Sequence, residues 1–357
     1  MTAHDARAAG IPTVIRRNTA LIALALSFTG AGMGLAYGLG PLMVVKLTDS
    51  AALSGLSVGL IGLSRFMVSY PIGRITDHHG RKPGILLGLV LALAGTLGIG
   101  AAMNTASIAL FVIGFLVFGM GMNAAQQLRV AATDMYPVRM RAEALGFVAL
   151  GALVGLVVTP ILVTTAEHVA GRVGADALAL PWYFVPILIV PCMLTVRLIR
   201  PDPKEIGMTL DRYYPEARPA PPPANGPTGF QASRLLAFAP TRLAIVSNCA
   251  ATGNMTIVMV LTSLVLAHHG HSVSEIAFSH MFHTAGMFAF TIPLGRLADR
   301  VGRAKVMFPG VAITLGGAAL VSFTHGYWLV TLGTFLVGLG LKAHHVGVLG
   351  DRAHPAR

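Results

Sequence analysis

Charge is scarce in this chain, and negative charge scarcest. Only 14 of its 357 residues are Asp or Glu, and charged residues of both signs make up 11%. Soluble domains carry about 25% charged residues. With 54% hydrophobic residues, a soluble core of this length cannot hide the apolar surface, so the expected solvent is lipid. Cysteine is nearly absent. Cys192 and Cys249 both lie inside apolar runs, which excludes a disulfide framework and a thiolate metal site and predicts packing residues. No G-x-x-x-x-G-K-[ST] loop is present, so transport driven by ATP on this chain is not expected. No catalytic triad or hydrolase signature is present either, so neither enzymatic activity nor a cofactor is expected. A cleavable signal peptide is also missing. The first apolar run is too long for an h-region and lacks a small-residue cleavage site, so it reads as a membrane helix.

What the chain does have is basic residue and long apolar runs. The net charge is +12 and the pI about 10.4. The basic residues sit in short loops between apolar runs, where they set membrane orientation; nucleic acid is not an expected partner. A span needs about 20 mostly apolar residues. Ten segments qualify: 18–45, 53–73, 84–103, 107–128, 142–165, 181–199, 240–267, 273–295, 306–323 and 327–345. Eight of the 21 prolines fall between Pro201 and Pro227, a composition that favours an extended, solvated linker. The expected organisation is a six-helix bundle over 1–200, a Pro-rich cytoplasmic linker over 201–235 and a four-helix bundle over 236–357. With the amino terminus inside, outside loops hold only Lys46 and Arg172. Inside segments hold Arg16, Arg17, Arg129, Arg139, Arg141, Arg197, Arg200 and Lys204. That asymmetry predicts a multi-pass inner-membrane protein with a cytoplasmic amino terminus.

Two segments repeat each other 222 positions apart: GRITDHHGRKP from Gly73 and GRLADRVGRAK from Gly295. Each keeps Gly-Arg, then Asp, then Gly-Arg, and each follows a proline, Pro71 or Pro293. A repeat at this distance in an apolar chain marks two homologous membrane halves, a hallmark of secondary transporters. The first motif comprises Gly73, Arg74, Asp77, Gly80, Arg81 and Lys82; the second comprises Gly295, Arg296, Asp299, Gly302 and Arg303. The glycines permit tight turns. The aspartate is placed to cap a helix amino terminus, and the basic residues to pair with it or with anionic lipid headgroups.

These motifs resemble the signature loops of the major facilitator superfamily, and the resemblance covers nearly the whole chain. It implies an all-α membrane fold of two homologous bundles rocking about a central site. Asp77 and Asp299 would each contact the opposite half in a cytoplasmic gate. Two positions depart from the drug-exporting relatives. Phe115 stands where many carry an arginine in helix 4, and helix 5 has Thr159-Pro160 in place of Gly-Pro. The family pattern has twelve helices and this chain offers ten, so a truncated chain, a frameshift or an incomplete gene is expected. By that pattern the partner of Asp77, at the start of helix 11, is absent, and that of Asp299, near Ala142 and Glu143, is present.

An ionisable residue deep in a span is costly and is a functional candidate by default. Arg65 lies in the second span and could bind an anionic substrate. His280 and His283, three apart on one helical face, could carry protons or contact substrate. Asn123 and Gln127 in helix 4 and Asn254 in helix 7 are amide candidates, with inter-helix bonding the alternative. The histidines show no metal-site spacing. The expected activity is proton-coupled export, by antiport, of a small organic molecule, with the coupling ion and membrane lipid as further partners. The alternatives are uptake of an anionic metabolite or metal chelate through Arg65, or a non-transporting membrane protein.

Overall fold

The computed structural model describes residues 11–215, 237–302 and 304–349. Apolar runs become helices because lipid offers no partner for an unpaired backbone group. The first half contains α1 (Thr13–Thr48), α2 (Leu56–His79), α3 (Arg81–Asn104), α4 (Ile108–Ala125), α5 (Gln127–Asp134), α6 (Arg141–Val173), α7 (Leu180–Phe184) and α8 (Pro186–Leu198). Two short helices follow, α9 (Pro203–Met208) and α10 (Leu210–Tyr213). The second half contains α11 (Ala239–His268), α12 (Val273–Ala289), α13 (Thr291–Val301), α14 (Ala304–Phe323) and α15 (Tyr327–Leu349).

Among the described residues, eight helical stretches are long and apolar enough to cross a membrane. Ten were expected. The two remaining segments are helical but differ in kind. Segment 273–295 is split at Phe290 into α12, of 17 residues, and α13. Pro293 explains the break: it has no N–H to give the carbonyl of Ala289, where α12 ends, and its ring crowds that carbonyl. In the first half, α2 runs unbroken through the equivalent Pro71. Segment 327–345 lies within α15, of 23 residues, which is not among the eight.

Small residues set the closest helix contacts. On the α3–α4 seam, a side chain at Gly95 would overlap the backbone of Phe118, and one at Gly121 the backbone of Ala92. On the α1–α6 seam, Gly151 and Gly155 face the carbonyls of Ala23 and Ser27 in the same way. The core of the first half centres on Phe111, Phe115, Phe118 and Trp182, all fully buried. Phe115 packs on Phe111 with ring centroids 4.5 Å apart and on Trp182 at 5.5 Å. Phe115 is therefore an aromatic packing residue. A smaller cluster of Val258, Leu266, Ile276, Val321, Val330 and Val337 holds the second half.

Residues 203–213, expected in the linker, contain α9 and α10, and Ile206 and the following Tyr214 join the core of the first half. The Pro-rich run from Pro219 to Pro227 lies outside the described residues. Cys192 is buried as expected of a packing residue, whereas Cys249 is exposed on α11. The expectation that both pack is corrected for Cys249, because the stretch of α11 from 248 to 250 is exposed.

Candidate functional site

Both motif loops lie at the same end of the molecule, and their second glycines share an unusual backbone. Gly80 has φ +97° and Gly302 has φ +93°. With ψ of 168° and 147°, both occupy a region open essentially to glycine alone. The sequence repeat is thus repeated as geometry.

The capping assignment needs correction. Asp77 caps nothing: it lies in the last turn of α2 with its side chain 72% exposed. The carboxylate at the amino terminus of α3 belongs to Asp202. Its Oδ1 accepts from the Arg81 N–H at 3.0 Å and its Oδ2 from the Lys82 N–H at 3.0 Å. Helix α2 continues to His79 and leaves Asp77 on the wrong side of the turn, so α3 takes its cap from the chain beyond α8. Arg81 reaches in the other direction. Its Nε donates to Asp134 Oδ2 at 2.7 Å, and its Nη1 lies 3.5 Å from Asp77 Oδ1. Lys82 Nζ donates to the Arg197 carbonyl at 3.2 Å, and Lys204 Nζ donates to the Asp77 carbonyl. Arg74 is exposed. The first motif therefore ties α2, α3, α5 and α8 together.

In the second motif Arg296 is exposed. Arg303 and the side chain of Asp299 lie outside the described residues. Glu143, near the expected partner of Asp299, is exposed.

The two halves are bonded toward the opposite end. Ser263 Oγ on α11 donates to the Gly38 carbonyl of α1 at 2.9 Å. Glu167 on α6 accepts from the Ser274 N–H of α12 at 3.1 Å and from the Ser274 hydroxyl. Lys46 and Asp176 form an ion pair of 2.9 Å at this far end.

The structure divides the sequence candidates. Arg65 and Asn123 come together: Arg65 Nε donates to Asn123 Oδ1 at 2.9 Å. The Asn123 amide is itself fixed, donating to the Gly119 carbonyl at 2.8 Å. His280 belongs to the far-end tie, with Nδ1 2.9 Å from the Ile276 carbonyl, Nε2 3.3 Å from that of Met259, and Ser263 Oγ 3.4 Å from Nε2. His283 turns to another helix and donates from Nδ1 to the Thr334 carbonyl of α15 at 3.0 Å. Its Nε2 is buried without a partner among the described residues. Gln127 and Asn254 are half-buried, and no hydrogen bond joins them to these groups among the described residues. Two cations escaped the sequence reading. Arg129, counted as a loop anchor, stands on α5 with its guanidinium 6.0 Å from the Phe288 ring centroid of α12. Lys342 lies within α15, inside the tenth expected span. The burial cost that singles out Arg65 would have found Lys342 too.

A membrane protein of two related helical bundles, bonded to each other toward one end, has the architecture of a secondary transporter of small molecules. The sequence profile of the Major Facilitator Superfamily matches residues 20–216 and 243–349, and the chain belongs to that superfamily. It is 25% identical over 341 residues to the uncharacterized MFS-type transporter YddS of Bacillus subtilis (strain 168), covering 92% of this chain and 76% of that protein. It is 27% identical over 329 residues to the riboflavin transporter RfnT of Brucella anthropi, covering 91% and 75%. Among solved structures, the nucleoside transporter NupG superposes with TM-score 0.69 at 12% identity, covering 96% of this chain and 84% of NupG. A partially occluded inward-open form of the xylose transporter XylE from E. coli gives 0.65 at 13% identity, covering 96% and 88%. These likenesses show the fold.

Proposed function

We propose that this chain moves a small organic molecule by alternating access, as proton-coupled export across a bacterial inner membrane. The observation that carries the reading is the far-end tie. Ser263 to Gly38 and Ser274 to Glu167 bond the halves there, while Arg74, Asp77, Glu143 and Arg296 stand exposed at the motif end. This supports a state closed on one side and open on the other. Lys46 and Arg172, the basic residues expected outside, lie at the far end, which supports a cytoplasmic motif end. The motif network is the proposed gate for the opposite state.

His280 is the proposed proton carrier. Its ring lies among the carbonyls of Ile276 and Met259 and the hydroxyl of Ser263, so gain or loss of a proton changes which of them it can bond. Because Ser263 bonds Gly38 across the halves beside this ring, loss of the proton would act on the tie itself. No enzymatic activity is proposed.

The test is a cross-link at the far end. Glu167→Cys with Ser274→Cys, in a background with Cys192 and Cys249 replaced by Ser, is reconstituted in liposomes. Flux of riboflavin and of a panel of organic solutes is followed under an imposed pH gradient. Flux that stops on cross-linking and returns on reduction is expected. Undiminished flux through a fully cross-linked carrier would overturn alternating access. No flux of any solute under any gradient would favour a non-transporting membrane protein.

A further inference from the structure

Arg65, Arg129 and Lys342 are three cations set along helices, Arg65 and Arg129 solvent-accessible and Lys342 half-buried. Asn123 joins Arg65 to α4, six residues before Arg129. Arg129 stands 6.0 Å from the Phe288 ring of α12, and α12 packs through Gly286 on Leu339 of α15, one turn before Lys342. Arg129 is within electrostatic reach of both other cations. Among the described residues none of the three has an ion-pair partner. Like charges held together in a lipid-embedded protein are costly unless something negative joins them. Arg129 is accessible to solvent yet turned toward Phe288 of the second half, which places it between the halves. Arg65 sits deeper, about 21 Å along α2 from its end at His79.

We propose that Arg65, Arg129 and Lys342 together bind a small organic anion bearing carboxylate or phosphate groups. This names the substrate class of the transport reading above and rests on it. The geometry favours an anion in three ways. Asn123 holds Arg65 by Nε alone, which leaves both terminal nitrogens of the fork without a partner among the described residues and free for bidentate contact. Tyr37, within electrostatic reach of Arg65, and the ring of Phe288 beside Arg129 supply aromatic surface, which suits an organic ligand over an inorganic one. The charges also come from both halves: Arg65 and Arg129 from the first, Lys342 from the second.

That last point links binding to motion. Approach of the halves at the motif end drives Arg129 and Lys342 together, so an empty carrier resists closing there. An anion between them removes the repulsion, and closure follows. A ligand shifts such an equilibrium only by binding one state better, and a bridging anion does so by charge alone. The loaded carrier then closes there more readily than the empty one.

The experiment uses the full chain in a non-ionic detergent at constant ionic strength. Thermal midpoints and binding isotherms are measured with succinate, citrate, benzoate and inorganic phosphate, with chloride as control. Saturable stabilisation by at least one organic anion beyond chloride is expected. Arg129→Gln and Lys342→Gln should each weaken it at least about tenfold. Asn123→Leu should weaken it less, because it unfixes Arg65 but keeps its charge. Lys342→Arg should retain binding, and it guards against a folding artefact in the Gln variant. Absence of binding above chloride by all four anions, or equal binding by the Gln variants, would overturn the site. So would a stoichiometric anionic phospholipid retained in the native mass spectrum and lost in Arg129→Gln, which would assign the cations to a lipid headgroup. Anion binding without flux in liposomes would leave the site standing and remove the transport reading. Flux of a neutral solute unchanged in Arg129→Gln, without anion binding, would do the reverse.

Discussion

A methyl group on Gly80 would lie 2.8 Å from Asp202 Oδ2. The turn that separates α2 from α3 is thus closed by a carboxylate pressed against a glycine that has no room for a side chain. Gly80→Ala meets two penalties, the contact and the φ of +97°. Gly302, with φ +93°, has no atom within 4 Å of such a methyl group among the described residues and meets only the second. Backbone strain of this kind costs about 1–3 kcal/mol. The thermal midpoint in detergent should fall for both alanine variants and further for Gly80→Ala. Equal falls would mean that the Asp202 contact relaxes freely.

Asp202 should act as a cap whose oxygen matters more than its charge. It accepts the N–H groups of Arg81, Lys82 and Lys204. Asp202→Ala should cost about 0.5–2 kcal/mol, the usual range for a lost cap. Asp202→Asn keeps one carbonyl oxygen and should lose less. Thermal unfolding of the two variants side by side decides the matter: if Asn loses as much as Ala, the anionic charge at the helix end carries the effect.

Two neighbouring tyrosines should respond in opposite ways to loss of the hydroxyl. Tyr136 and Tyr214 have ring centroids 6.5 Å apart. The Tyr136 hydroxyl is bonded to Thr19 at 2.9 Å, while that of Tyr214 is buried without a partner among the described residues. Burial raises the pKa of both phenols above its ordinary value, so both are neutral at physiological pH and neither contributes charge. Tyr136→Phe should destabilise by about 1 kcal/mol, and Tyr214→Phe should be neutral or stabilising by a similar amount. A loss in Tyr214→Phe as large as in Tyr136→Phe would show that the Tyr214 hydroxyl has a partner after all.

The spans and the repeated loops were legible because apolar length and a duplicated motif are local signals. The equal φ of Gly80 and Gly302 adds backbone evidence to the same duplication. Tertiary partners were less legible. Nothing near Asp202 in sequence says that it caps a helix 121 positions earlier, and the obvious carboxylate, Asp77, misses the role because α2 runs one turn too far. His280 and His283 share a helical face, yet one bonds toward α11 and the other toward α15, a division that depends on the positions of neighbouring helices. Arg129 was misread because the short α5 carries the helical path beyond the apolar run. Lys342 was missed without such an excuse.

The backbone contact along the α3–α4 seam has a mechanical consequence. Where Gly95 meets Phe118 and Gly121 meets Ala92, no side chain stands between the helices to be compressed or to change rotamer. A displacement applied to one helix therefore passes to the other almost undiminished, as through two blocks clamped face to face. Compliance must come from elsewhere, and the described residues offer one such place: Phe290, where α12 stops and α13 begins. The α14–α15 seam of the second half is clamped in the same way, Gly317 on Gly333 and Gly340 on Gly310, so that joint lies outside the clamped pairs, beside the ring on which Arg129 rests.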